Sequence, residues 1–252
     1  MDRATIVARL RAAGCVFAED EAALLLGESA PGCLAANVAA REAGTPLEQL
    51  LGFVEFDGLR LAVGPGVFVP RQRTRLLARR AAELTPPDGV VVDLCCGVGP
   101  VAARVLAEKP DATVVAVDLD PAAADYARLN LPRATVLVGD LFEPVPLDLL
   151  GRVDVVAANA PYVPDDELQF MPRDAREHEP IHTLSGGADG LRFHRRIAAE
   201  VVGWLRPGGS VLVETSRRQA AETAGLLVAA GLAARIEREA DLDGLIVFGL
   251  NA

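Results

Sequence analysis

The chain has 252 residues, of which 51% are hydrophobic and 24% charged, with a formal net charge of −10. That length supplies one large core with room for a small appendage, and the acidic balance disfavours sequence-independent binding to phosphate backbones. No apolar run approaches the roughly 20 residues that span a bilayer. The string MDRATIVARLRAAG lacks the order of a secretory signal, so no membrane partner and a cytoplasmic location are expected. Four cysteines stand at 15, 33, 95 and 96; neither a zinc spacing nor a disulfide framework is present in that pattern, and no metal is expected.

Residues 2 to about 50 read as helices, with ATIVARLRAAG stopping at Gly14 and CLAANVAAREAG at Gly44. LLGFVEFDGLRLAV then alternates on either side of Asp57-Gly58, the signature of a two-residue hairpin turn. The extended GPGVFVPRQRTRLL leads into a helix. The expected organisation is therefore a helical region over 1–50, a hairpin and extended linker over 51–73, and a larger domain over 74–252. Arg71, Arg73, Arg75, Arg79 and Arg80 form a basic strip, read as a solvated helix face.

From residue 90 the pattern alternates between strand and helix. VVVDL, ATVVAVDLD, ATVLVGD, VDVVAAN and SVLVET are short apolar strands separated by PVAARVLAEK, PAAADYARLN and LRFHRRIAAEVVGWL, the last closed by RPGG. RRQAAETAGLLVAAG is a further helix, and AARIERE and GLIVFGL complete the sheet. This rhythm predicts a doubly wound α/β fold, a mostly parallel Rossmann-like sheet with ligands beyond the carboxyl ends of its strands.

Those ends carry the chemistry. VVVDLCCGVGP gives Asp93, then Cys95, Cys96, Gly97, Val98 and Gly99. Cys95 occupies the place where a dinucleotide fingerprint needs its first glycine, and no P-loop Lys-Ser/Thr follows. An acid at the strand tip ahead of two glycines suits S-adenosylmethionine, whose methionine end is cationic. The next strand ends in Asp118, placed to accept from both ribose hydroxyls, and the third in Asp140, placed to accept from an adenine amine while Leu141 or Phe142 packs on the ring. The fourth ends in Asn159-Ala160-Pro161-Tyr162. There the Asn159 side-chain oxygen and the Ala160 carbonyl each accept one N–H of a planar NH₂ group, Pro161 stiffens the loop, and Tyr162 packs on the acceptor. Positioning of that nitrogen carries the reaction, with no general base required.

The motifs together resemble those of the HemK/PrmC family of protein-(glutamine-N5) methyltransferases, over residue 41 to the carboxyl terminus. REAGTPLEQLLGFVEFDGLRLAVGPGVFVPRQRT is similar to that family's hairpin and linker; VVDLCCGVGPVA, AVDLDPAAADYARLN and GDLFEP to its cofactor motifs; and EHEPIHTLSGGADGLRFHRRI to its long loop after the catalytic motif. The resemblance implies a class I S-adenosylmethionine-dependent fold and transfer of methyl to the side-chain amide of a protein glutamine, in the Gly-Gly-Gln motif of a peptide-chain release factor. It implies that residues 95–99 line the methionine part of S-adenosylmethionine, that Asp118 and Asp140 with Leu141 hold ribose and adenine, and that Asn159 to Tyr162 hold the glutamine amide. Phe68 and VPRQRT would close the pocket from the linker side.

Three features depart from the family pattern. Ala160 replaces the first proline of Asn-Pro-Pro-Tyr, Gln72 and Arg73 replace a proline and an acid, and Arg75 stands where Glu is common. The amino-terminal region, which recognises the protein substrate in the family, is short here. These changes touch substrate recognition, so an NH₂ group of a small molecule or peptide natural product is the alternative acceptor. Cys95 and Cys96 are read as small turn residues rather than reactive thiols, Trp204 as core, and His178, His182 and His194 as loop and helix-surface side chains. The acid-rich DDELQFMPRDAREHEP loop is long enough to act as a lid.

Overall fold

The computed structural model describes all 252 residues. Four helices open the chain: α1 (Arg3–Ala12), α2 (Ala18–Glu28), α3 (Leu34–Glu42) and α4 (Leu47–Leu51). They bury their own small core of Ile6, Leu10, Ala18, Ala22, Leu25, Val38 and Leu47. Gly52 ends α4 in the left-handed conformation that a side chain resists. The hairpin follows as β1 (Phe53–Phe56) and β2 (Leu59–Ala62). Phe56 pairs with Leu59, leaving Asp57 and Gly58, both at positive φ, as the two-residue turn the sequence predicts.

The remaining chain is α5 (Arg75–Leu84), β3 (Val90–Leu94), α6 (Pro100–Glu108), β4 (Thr113–Asp118), α7 (Pro121–Asn130), β5 (Thr135–Val138), β6 (Val153–Ala158), α8 (Arg173–His178), α9 (Arg192–Trp204), β7 (Leu205–Glu214), α10 (Ala220–Ala229), β8 (Ala233–Glu239) and β9 (Gly244–Leu250). The seven strands are ordered β5-β4-β3-β6-β7-β9-β8. They run parallel from β5 to β7, and β9 is antiparallel to both of its neighbours.

Strict alternation along the central strands explains the two-sided core. Val91, Val155, Ala157, Leu212 and Ile246 face a cluster with α5, α6, α7 and the hairpin, where Val54, Phe56, Leu61, Val67 and Val69 are also buried. Val92, Val156, Ala158, Val213 and Val247 face the opposite cluster, under Ile197, Val201 and Trp204 of α9 and Leu227 of α10. Trp204 is core, as its sequence position predicts.

Two details differ from expectation. Arg206 to Gly209, read as the end of a helix, lie inside β7 as an irregularity between Val153 and Val155. Asn251 makes this possible, since its side-chain amide donates to the Leu205 and Arg206 carbonyls and its backbone exchanges bonds with Gly208 and Gly209. His194 is not a surface residue. It is 1% exposed in the α9–α10 seam, with Nδ1 at 2.9 Å from Thr223 Oγ1, and burial pushes its pKa down to about 4.

Candidate functional site

Strand order reverses at β3, which is followed in sequence by β4 on one side and paired with β6 on the other. Such a switch point leaves a crevice at the carboxyl ends. Leu94 pairs with Val117 and with Ala158, so the residues after β3, β4 and β6 meet at one edge.

The turn after β3 is tightly wound. Cys95, Gly97 and Gly99 all have positive φ, and Cys95 holds that conformation despite its side chain. The Cys96 N–H donates to the Val117 carbonyl at 3.0 Å, and the Gly97 N–H to Asp118 Oδ2 at 2.7 Å. A Cβ on Gly99 would stand 2.6 Å from Leu131 Cδ1, so glycine is needed there for close packing as well as for its φ. Asp93 lies behind the turn, 1% exposed, with Oδ2 accepting the Ala102 N–H at 3.1 Å. Burial, reinforced by the charge of Asp118, pushes its pKa up to about 7. Burial also raises both thiols well above their ordinary value, which suits packing rather than nucleophilic use.

Asn130, at the end of α7, couples this turn to the hairpin. Its Nδ2 donates to the carbonyls of Val98 and Ala62, and its Oδ1 accepts the Ala62 N–H at 2.7 Å.

Asp118 accepts from Gly97 and, through Oδ1, from the Asp120 N–H at 2.9 Å. Burial raises its pKa, and these two N–H groups act in the opposite direction. Asp140 is half-buried and paired with Arg196 Nη1 at 2.9 Å. Leu141, at positive φ, lines the cleft. Phe142 turns away and stacks on Trp204 at 5.4 Å, which settles which of the two apolar residues faces the cavity.

The loop after β6 is held from three sides. Asn159 Nδ2 donates to Thr74 Oγ1 at 3.3 Å, leaving Oδ1 as its acceptor end. Ala160 is 1% exposed and packs into the core under α9. The Tyr162 carbonyl accepts from Gln219 Nε2 at 2.8 Å, and the same Nε2 donates to the Asp189 carbonyl. The chain beyond doubles back: the Val163 N–H donates to Leu184, and the Gly186 N–H to Val163. A Cβ at Gly186 would lie 2.7 Å from the Pro161 carbonyl oxygen, and one at Gly190 only 2.2 Å from that of Tyr162. The glycines of SGGADG are thus what lets this segment support the loop. The Tyr162 hydroxyl stands 3.5 Å from Glu214 Oε1, and Arg73 Nε lies 3.4 Å from the same oxygen. Burial, with the Glu214 charge, pushes Tyr162 up to about 12, so it is a neutral phenol at physiological pH.

The linker forms the remaining wall. Arg71 Nη2 donates to both oxygens of Glu179 at 2.7 Å, and the Val69 N–H also donates to Oε1. Its guanidinium sits 4.8 Å from the Phe68 ring centre. The basic strip is therefore not a solvated face. Arg79 pairs with Asp57 and Glu239, and Arg80 with Glu237, which ties α5 to the hairpin and to β8.

One cleft of about 1190 Å³, including its open mouth, gathers Phe68, Cys95, Cys96, Gly97, Val98, Asp118, Asp140, Leu141, Asn159, Ala160, Pro161 and Tyr162. Of the sequence candidates, Gly99 stands outside its lining, behind the turn against Leu131, and so does Phe142, stacked on Trp204. Sequence reasoning did not place Arg73, Thr74, Phe193, Met171 or His182 in this wall as individuals. Thr74 lay within the quoted VPRQRT string, whereas Phe193 carries no sequence signal that separates it from an ordinary core aromatic. The predicted lid contains α8 and brings Met171 to the cleft; His182 to Leu184, just beyond it in the chain, also line the wall.

The family model described as Methyltransferase small domain matches residues 59–173. The release factor glutamine methyltransferase of Mycolicibacterium smegmatis is 42% identical over 190 residues, covering 74% of this chain and 67% of that protein. Its counterpart in Geobacter sulfurreducens is 36% identical, covering 77% and 69%, and that of Cereibacter sphaeroides 39% identical, covering 83% and 75%. Among solved structures, a methyltransferase from Pyrococcus furiosus superposes with a TM-score of 0.58 at 17% identity, covering 86% of this chain and 98% of that one. The Thermus thermophilus 16S rRNA N2 G1207 methyltransferase, solved with AdoMet and guanosine, gives 0.55 at 19%, covering 79% and 50%. These two likenesses establish the class I methyltransferase fold, and the sequence relationships establish more: the chain belongs to the release factor glutamine methyltransferase family.

Proposed function

We infer that this enzyme transfers a methyl group from S-adenosylmethionine to the side-chain amide nitrogen of a glutamine, the one in the Gly-Gly-Gln motif of a peptide-chain release factor. The observation that carries the reading is Asn159, held by Thr74 so that its oxygen is the free end, at the tip of the strand beside Asp93 and the glycine turn.

The cleft suits the cofactor in its chemistry. Asp93 is a buried carboxyl whose ionised form lacks a counter-charge, which a sulfonium or ammonium group provides. Asp118 is fixed by backbone N–H groups yet retains lone pairs for ribose hydroxyls. Leu141 and Phe193 offer apolar surface to an adenine, with Asp140 at its edge. When bound, S-adenosylmethionine supplies an electrophilic methyl on a positively charged sulfur.

The chain's own residues then act by positioning. Asn159 Oδ1 and the Ala160 carbonyl each accept one N–H of the acceptor amide, which selects NH₂ and turns the nitrogen face toward the methyl. Two such acceptors also raise electron density on an otherwise weakly nucleophilic amide nitrogen. Pro161 and Tyr162 bound the pocket, and Tyr162, kept neutral, excludes water without competing for a proton. Bound S-adenosylmethionine would supply the methyl and leave as its neutral thioether, while Asn159 Oδ1 and the Ala160 carbonyl keep the nitrogen oriented and the one proton it loses passes to solvent. With this acceptor the enzyme works in the cytoplasm.

The test is transfer of labelled methyl to release factor, comparing the wild-type factor with one whose Gly-Gly-Gln glutamine is replaced. Label confined to the wild-type factor is expected. Equal labelling of both would reject the glutamine, and no labelling despite cofactor binding would reject the release factor as acceptor.

A further inference from the structure

Arg73 is the cation on the acceptor side of the cleft that is not fully committed to another residue. Arg71 is spent on Glu179, with its Nη2 bonded to both carboxylate oxygens. Arg73 instead donates through Nε to Glu214 Oε1 at 3.4 Å and lies close to the Tyr162 hydroxyl, with its guanidinium carbon 6.0 Å from that ring centre. Glu214 is 2% exposed, and its Oε2 is buried without a partner. The arginine is thus anchored through Nε on a buried carboxylate, while its side chain stays 43% exposed as part of the cleft wall. A fork held in this way loses little side-chain freedom when it binds an oxygen.

We propose that Arg73 binds a main-chain carbonyl oxygen of the acceptor peptide, at or beside the methylated glutamine, and so makes the enzyme selective for a glutamine within a peptide over a free amide. The inference rests on the reading of Asn159 to Tyr162 as the acceptor loop. Position supports it. Arg73 is the chain neighbour of Thr74, which orients Asn159, and it stands beside the ring of Tyr162. An acceptor amide on Asn159 therefore presents its backbone, two methylenes away, toward this wall. Charge decides the ligand class. Arg73 and Glu214 neutralise each other, and a ligand carboxylate on the same guanidinium would meet the charge of Glu214. A neutral carbonyl takes the two N–H donors without that repulsion. The departure from an acid to arginine at this position then becomes a recognition device of this chain.

The experiment compares Arg73→Met, which keeps length and removes the donors, with Arg73→Lys, which keeps charge and removes the fork. Methyl transfer is followed on intact release factor and on a short Gly-Gly-Gln peptide, with cofactor affinity measured separately by calorimetry. The expected result for Arg73→Met is a KM for both acceptors raised roughly 10- to 100-fold, with kcat and cofactor affinity nearly unchanged, and an intermediate rise for Arg73→Lys. Glu214→Gln, which loosens the anchor, should raise KM in the same sense by a smaller factor. Unchanged KM in both arginine variants overturns the proposal, as does a fall in kcat at constant KM, which would make Arg73 a support for Tyr162. Absence of transfer by the wild-type enzyme overturns the functional reading together with this one, whereas normal wild-type transfer with indifferent variants overturns this one alone.

Discussion

Asn159 takes its orientation from Thr74, a residue 85 positions earlier in the chain, through a single 3.3 Å bond from its amide nitrogen. Because Thr74 is 1% exposed, water does not substitute for its hydroxyl. Thr74→Val keeps the shape and removes the acceptor, which frees the Asn159 amide to turn its NH₂ toward the substrate. We expect kcat to fall about tenfold, with cofactor affinity unchanged and activity largely restored in Thr74→Ser. Steady-state kinetics beside calorimetry separates the two effects.

Asn159→Ala removes one of the two proposed acceptors outright. Turnover should fall by roughly 10²- to 10³-fold, while cofactor affinity stays close to wild type, since no bond from Asn159 supports the glycine turn or Asp118. Loss of cofactor binding in this variant would move Asn159 from the acceptor to the cofactor.

Asp93 gives the site a pH dependence of predictable sign. Its pKa in the free protein is raised to about 7 from 3.8, so the folded state binds this proton more tightly than the unfolded chain does. The resulting stability is fully present below pH 3.8 and is lost as the pH rises through about 7. Cofactor binding runs the other way, because a cation favours the carboxylate: affinity should strengthen from pH 6 toward pH 8 and level off above it. Asp93→Asn should flatten the affinity profile, weaken binding at pH 8, and make the cofactor-free protein more resistant to urea at pH 8 than wild type. A wild-type affinity independent of pH over this range would contradict the assignment.

Gly190→Ala tests the support of the acceptor loop. The added methyl would lie 2.2 Å from the Tyr162 carbonyl oxygen and Gln219 Nε2, at a residue with φ of 74°. Something must move, and the bond from Gln219 to Tyr162 is the contact at hand. We expect a loss of about 1–3 kcal/mol in stability together with a fall in kcat. Gly27→Ala, in open space on α2, serves as the control and should leave activity intact.

Features legible in the sequence were those set by neighbours in sequence. Strand-end acids, the glycine turn and the Asp57-Gly58 hairpin each follow from a few adjacent residues, and alternation along the strands placed them on one edge. Whether Leu141 or Phe142 met the cleft was not legible, because positive φ at Leu141 and the stacking of Phe142 on Trp204 are settled only by packing. The arginine strip was misread for the same reason. Its partners Asp57, Glu179, Glu214 and Glu237 are scattered along the chain, and no spacing rule joins them. His194 looked like a surface histidine because a helix period does not say which side a neighbouring helix covers; α10 covers that one.

Asn130 treats Ala62 as a neighbouring strand would, giving to its carbonyl and taking from its N–H, and with the same amide it holds Val98. The hairpin is therefore spliced into the floor of the cleft, and its apolar side chains share the core of the sheet, whereas the first four helices keep a core of their own. Anyone building hybrids by exchanging the amino-terminal helices between relatives should place the junction before Phe53. A cut there carries the helices away whole, provided that the incoming module supplies an amide in place of Gln49 for the Val67 and His178 carbonyls. A cut at residue 74 would instead tear out a wall of the reaction chamber.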